Sequence, residues 1–171
     1  MAANKYISLV SGKLKEVFGT QISSGVTDAN KIPALDSSGK LDVSLLPTGV
    51  APEVVIAPSS ENLSAGDFVN FYNNLGIINV RKADATTNGK PAHGFVLNNV
   101  TSPANATVYL ESSQNNSITG LTIGSDYFLS TTPGVVTTTA PNASGNIVQL
   151  LGRATSATNL PFTPGDTVEI A

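Results

Sequence analysis

Alternating apolar and polar positions dominate the sequence from residue 53 onward. Short runs rich in Val, Ile, Thr, Tyr and Phe recur there every ~8–12 residues, a spacing typical of β-sandwiches and barrels. Residues that favour turns separate the runs, for example Asn88-Gly89, Asn115-Asn116 and Pro164-Gly165. The pattern predicts strands at residues 53–58, 67–74, 76–84, 92–100, 106–112, 125–131, 134–141, 146–155 and 166–171.

The first 50 residues show the same alternation over a shorter stretch. YISLV (6–10) and KLKEV (13–17) predict a hairpin that turns at Ser11-Gly12. Further along, KIPALDSSGKLDVSLLP (31–47) has two apolar patches around Asp-Ser-Ser-Gly, which predicts two short extended pieces around a tight turn.

Large apolar side chains are too few in residues 1–50 for a separate core. We therefore predict an N-terminal arm, residues 1–50, made of extended pieces and hairpin turns, followed by a β domain at residues 51–171. The predicted fold class is all-β: a β-sandwich or jelly-roll-like barrel with an extended N-terminal arm that contains short β-hairpins.

Composition narrows the function classes. Only 12% of the 171 residues are charged, about half the usual share. Ser and Thr number 18 each and Asn 16, so hydroxyls and amides must cover much of the surface, which favours packing against other proteins. A net charge of −3 argues against binding nucleic acid, and the absence of Cys excludes disulfides and thiolate metal sites. We expect no membrane span and no secretory signal.

Candidate chemistry is sparse. His93 is the only histidine, and no catalytic or metal-binding spacing surrounds it. The acids are scattered singly; Asp84, Glu111 and Asp126 lie in no recognisable motif, although a glycan hydrolase would need two of them in one cleft. We therefore predict no catalytic residue, no cofactor and no metal, and we expect that the protein is not an enzyme.

Two blocks of the β region are similar to β-modules of tailed-phage virions. They are VRKADATTNGKPAHGFVL (80–97) and LTIGSDYFLSTTPGVVTTTAPNASGNIVQLLGRATSATNLPF (121–162). KYISLVSGKLKEV and DANKIPALDSSGKLDVSLLPTGV resemble the start of phage proteins found beside the major capsid protein. Together the segments resemble the capsid decoration, or cement, proteins of tailed bacteriophages, and they also resemble the β-modules of tail fibres.

The resemblance implies a structural virion protein, made in the host cytoplasm, that binds the outer capsid surface and stabilises the head. It implies the major capsid protein and further copies of the chain, as a homotrimer, as partners. The alternative is a tail-fibre or receptor-binding module that recognises a host glycan or surface protein.

Apolar residues of the arm are the candidate partner-binding residues. Short extended pieces could add to a neighbour's sheet or lie along a capsid seam. Alternatively, the arm could pack back on its own β domain. The predicted partner-binding residues are Tyr6, Leu9, Leu14, Ile32, Leu35, Leu41, Leu45 and Leu46.

Overall fold

A computed structural model describes residues 5–37, 39–46 and 53–171 of the chain. The chain divides into two compact units, Met1–Ala51 and Pro52–Ala171. The assignment of residues 1–50 as an arm that lies on a neighbouring protein stays a prediction.

The predicted N-terminal hairpin is present. Strand β1 (Lys5–Val10) pairs antiparallel with β2 (Lys13–Phe18). The two residues between them, Ser11 and Gly12, have φ angles of 54° and 76°. Positive φ at both central residues is the signature of the type I′ turn, whose twist matches that of the flanking strands.

Residues 19–46 add short pairings and two 3-10 turns, Val26–Asp28 and Val43–Leu45. A parallel bridge joins Thr20 to Pro33. The predicted turn after Asp36 is confirmed, because the Gly39 N–H donates to the Asp36 carbonyl over 3.1 Å and Gly39 has a φ of 74°. Ser38, within that turn, lies outside the described residues.

The predicted extended piece at Leu41–Leu46 is wrong. The Leu45 N–H donates to the Asp42 carbonyl over 3.0 Å, and the Ser44 N–H donates to the Asp42 carboxylate over 2.9 Å. These two hydrogen bonds stabilise a tight turn instead of an extended backbone. Asp side chains commonly compete with regular structure in this way. The segment is therefore a 3-10 turn within residues 41–46.

The second unit is built around a five-stranded antiparallel sheet in the order β3-β7-β6-β4-β5. A parallel bridge from Ser59, just after β3, to Val80 in β5 brings the first and last strands together, so the sheet curls toward closure. Such closure removes exposed sheet edges. The five strands are β3 (Val54–Pro58), β4 (Phe68–Asn74), β5 (Ile77–Lys82), β6 (Gly94–Val96) and β7 (Asn105–Tyr109).

A three-stranded sheet in the order β10-β9-β12 and two small strand pairs, β11-β14 and β13-β8, complete this unit. Their strands are β8 (Gln114–Asn115), β9 (Asp126–Leu129), β10 (Val136–Thr137), β11 (Ile147–Val148), β12 (Leu150–Arg153), β13 (Leu160–Pro161) and β14 (Val168–Glu169).

Two apolar cores stabilise the second unit. Phe68, Phe95 and Phe162 are fully buried, with ring centroids 5.5–6.1 Å apart, and they join the large sheet to strands β9, β12 and β13. The opposite face of the large sheet carries a second cluster that draws on all five strands: Ala57, Leu63, Val69, Val80, Val96, Ala106 and Val108. Alternate residues of a strand face opposite sides, so one sheet serves both cores.

The all-β fold class is confirmed. Each of the nine strands predicted from residue 53 onward overlaps at least one observed strand, and the observed strands are shorter than the predictions. The predicted strand 146–155 is divided into β11 and β12, and β7 begins at Asn105, one residue before its predicted start. Two short strands, β8 and β13, were not predicted. The predicted turn at Asn115-Asn116 is wrong, because Asn115 lies in β8, is fully buried and donates from its amide to the Gly66 carbonyl over 3.0 Å.

Candidate partner-binding surface

The register of the β1–β2 hairpin sorts its side chains onto two faces. Opposite residues in an antiparallel pair share a face, and successive residues alternate between faces. One face, called here the hairpin face, carries three cross-strand pairs: Lys5 with Phe18, Ile7 with Glu16, and Leu9 with Leu14. The other face carries Tyr6 with Val17, Ser8 with Lys15, and Val10 with Lys13.

The four apolar side chains of the hairpin face are largely exposed. Ile7 is 66% exposed, Leu9 68%, Leu14 76% and Phe18 63%. A two-stranded hairpin with nothing on its apolar face is marginally stable in water. These side chains therefore form a surface that gains stability by packing against something else.

The charges on the hairpin face neutralise each other. Lys5 Nζ lies 2.7 Å from Glu16 Oε2, and the same ammonium lies 4.9 Å from the centroid of the Phe18 ring. An ammonium over an aromatic ring is a favourable cation–π contact. The hairpin face is thus apolar and without net charge, which lowers the cost of removing it from water.

The opposite face of the hairpin is basic. Lys13 and Lys15 are both exposed, and neither has an ion pair among the residues that the structure describes. The hairpin holds three Lys and one Glu, so a neutral or acidic partner surface suits it better than a basic one.

The other predicted partner-binding residues are dispersed. Tyr6 lies on the basic face and lines a groove of about 340 Å³ together with Ile32 and Leu35, whose side chains are about half exposed. Leu41 is 44% exposed, and Leu45 and Leu46 are half-buried at the 3-10 turn. The structure thus brings together Leu9 and Leu14, and separately Tyr6, Ile32 and Leu35; binding by any of them stays a prediction.

Ile7 and Phe18 were not among the predicted partner-binding residues. The signal for both was present in the sequence, because strict alternation across a turn at Ser11-Gly12 places them on the same face as Leu9 and Leu14. The sequence did not indicate that this face is exposed.

The contacts of His93 indicate a structural role for this residue. Its Nδ1 accepts the Phe71 backbone N–H over 3.0 Å, and its ring stacks on the Phe71 ring at 6.0 Å. Partial burial lowers the pKa of His93, since the charged imidazolium loses part of its hydration although the residue keeps contact with solvent. The neutral ring that accepts at Nδ1 thus braces strand β4.

Two of the candidate acids, Asp84 and Asp126, form ion pairs. Asp84 is nearly buried and contacts Lys90 Nζ at 2.9 Å and the Thr86 hydroxyl. Burial opposes ionisation of Asp84, but these partners and the Thr86 N–H outweigh it, so its pKa lies below the usual range. Asp126 accepts from Arg153 at 2.8 and 3.1 Å.

Among the described residues, no group of three or more His, Cys, Asp or Glu side chains could hold a metal ion. Within the same ranges, the chain has no helix of the length and apolarity that a membrane crossing requires.

Comparisons with known proteins give one structural likeness. No family model matches the sequence, and no curated protein matches it. Among solved structures, the chain is similar to the N base of the head fiber gp8.5 of bacteriophage phi29, with a TM-score of 0.44 and 14% identity over 71% of this chain and 95% of that chain. At these values the likeness carries neither fold nor function over to this chain.

Proposed function

We propose that this chain is a structural protein of a tailed-phage virion, which binds the outer surface of the capsid as a decoration protein and stabilises the head. The observation that carries the proposal is the hairpin face, an apolar and neutral surface on a hairpin that needs a partner. The sequence resemblance to decoration proteins supplies the partner, the major capsid protein.

Stabilisation follows from linkage. A protein that binds the assembled shell and not its separated subunits shifts the equilibrium toward the shell by mass action. Several copies joined in one homotrimer would contact several capsid subunits at once, so that weak individual contacts add up to tight attachment. In this proposal the protein acts without a catalytic step.

A tail-fibre or receptor-binding module is the second candidate. It would need exposed aromatic rings on which a sugar can stack. Tyr72 is the best-placed ring in the second unit, but the Arg81 guanidinium lies 4.6 Å from its centroid and covers one face. This cover makes Tyr72 a poorer platform for a sugar.

Heads that lack this protein provide the test. The purified chain is added to such heads, and head opening is followed on heating by release of DNA to an intercalating dye. The proposal expects bound protein and a higher opening temperature. Binding with an unchanged opening temperature would refute stabilisation, and absence of binding would refute the proposal as a whole.

A further inference from the structure

The loop between β4 and β5 exposes a leucine almost completely. Leu75 is 99% exposed, and Ile77 and Ile78 beside it are 62% and 51% exposed. We call residues 71–78 the hairpin tip. Ile77 and Ile78 are successive strand residues and face opposite sides of the hairpin, so the exposed apolar surface at its end extends over both faces. Apolar side chains this open to water are typical of a protein-binding surface.

The conformation of the β4–β5 turn does not explain why a leucine occupies position 75. Leu75 and Gly76 have φ angles of 52° and 89° and connect the last strand pair, Asn74 with Ile77. This is the same two-residue turn as Ser11-Gly12 in the first unit. Asn, Asp or Gly suits its first position, whereas a bulky apolar residue with positive φ is strained there. Residues held in strained conformations cluster at functional sites.

A groove lies beside the protruding leucine on the same hairpin. Phe71, Tyr72, Asn73, Gly76 and Ile78 line it, and its volume is about 350 Å³. The groove is larger than one aliphatic side chain, and its lining is mainly apolar. The hairpin tip therefore combines a protruding apolar side chain with an open groove that could accept one.

The charge distribution of the second unit favours a second copy of this chain as the partner of the hairpin tip. The second unit carries eight acids and four cations, so two copies of it repel each other over most of their surfaces. The stretch from Phe68 to Val80 contains no charged residue. The cation that borders it, Arg81, lies 4.6 Å from the Tyr72 ring centroid and donates to the Asn70 side chain and the Gly89 carbonyl. Two copies can therefore approach at the hairpin tip with the least like-charge repulsion.

We propose that the hairpin tip binds a second copy of this chain, with Leu75 of each copy inserted into the groove of its neighbour. Every copy supplies both the leucine and the groove, so the contact can be repeated head to tail around the proposed homotrimer. This contact between copies does not require capsid binding, so an experiment can refute it without refuting the proposed function.

Sedimentation equilibrium of the full chain over a range of concentrations tests this contact. The wild type is expected to self-associate, and Leu75→Asn is expected to weaken the association at least tenfold while leaving the chain folded, because Asn suits the turn. Ile123→Asn is the matched control, since Ile123 is 68% exposed in the same unit; it should associate like the wild type. A monomeric wild type, or a Leu75→Asn variant that associates as strongly as the wild type, would overturn the inference.

A second test uses the absence of cysteine. Because the chain has no Cys, a single Asn74→Cys substitution can form a disulfide only between copies. Mild oxidation should link Asn74→Cys much faster than Ile123→Cys. Equal rates would count against the contact. Loss of head binding by Leu75→Asn with unchanged self-association would also overturn it and assign the tip to the capsid.

Discussion

Replacing Leu9 and Leu14 together by Ser removes the centre of the hairpin face. The two side chains lie directly opposite each other and are 68% and 76% exposed. Burying a whole leucine side chain contributes roughly 1.5–3 kcal/mol, so burying these exposed portions contributes about 2–4 kcal/mol for the pair. At ~1.4 kcal/mol per tenfold, the double variant should bind a head site about 30- to 1,000-fold more weakly.

Sedimentation of labelled protein with heads that lack it measures this affinity. Both leucines are largely exposed in the unbound chain and form one cross-strand pair, so the double variant should lose only about 0.2–1 kcal/mol of folding stability. Val10→Ser is the matched control, because Val10 lies on the opposite face of the same hairpin. A double variant that binds heads as tightly as the wild type would refute the assignment of the hairpin face.

Two further predictions concern the second unit. Gly152→Ala should lower the free energy of unfolding by about 2 kcal/mol or more, because an added Cβ would lie 2.1 Å from the Pro161 carbonyl oxygen and the backbone φ of 153° is strained for other residues; urea denaturation measures the loss. Stability should also fall as the pH drops below about 6.5, the ordinary pKa of histidine, because the pKa of His93 is lowered in the folded chain and the unfolded chain therefore binds the proton more readily. In His93→Asn, whose side-chain oxygen can still accept the Phe71 N–H, this part of the pH dependence should disappear.

Each of these has an outcome that contradicts it. Unfolding of Gly152→Ala at the wild-type urea concentration would mean that the backbone around β12 can shift without cost. Urea midpoints of the wild type and His93→Asn that change in parallel between pH 7 and pH 5 would mean that His93 contributes nothing to the pH dependence.

Strand positions could be predicted because the signal is local. At Ser11-Gly12 the turn residues and the flanking alternation agree, and the observed register follows from both. Strands β8 and β13 are two residues long and have no longer β-rich run around them. The equally short β10, β11 and β14 could be predicted because each lies inside such a run. Asn115 is of a residue type that favours turns. In the folded chain its side-chain amide donates to the carbonyl of Gly66, which is distant in sequence, and this hydrogen bond holds Asn115 in the core.

The candidate surfaces could be predicted only in part. Alternation identifies which side chains share the hairpin face, but it does not tell whether another segment covers them. The prediction names Leu9 and Leu14 but omits Ile7 and Phe18, which the same alternation places on that face. The exposure of Leu75 depends on how far the β4–β5 hairpin projects, which is a property of the folded sheet and not of the sequence around Leu75-Gly76.

The proposed function requires that this chain resides on the capsid. Purified virions can be separated into heads and tails, and the copies of this protein counted in each fraction by quantitative mass spectrometry against the major capsid protein. We expect many copies on every head, in a fixed ratio to the major capsid protein, and none on tails. A few copies confined to tails, or none in the virion, would contradict it.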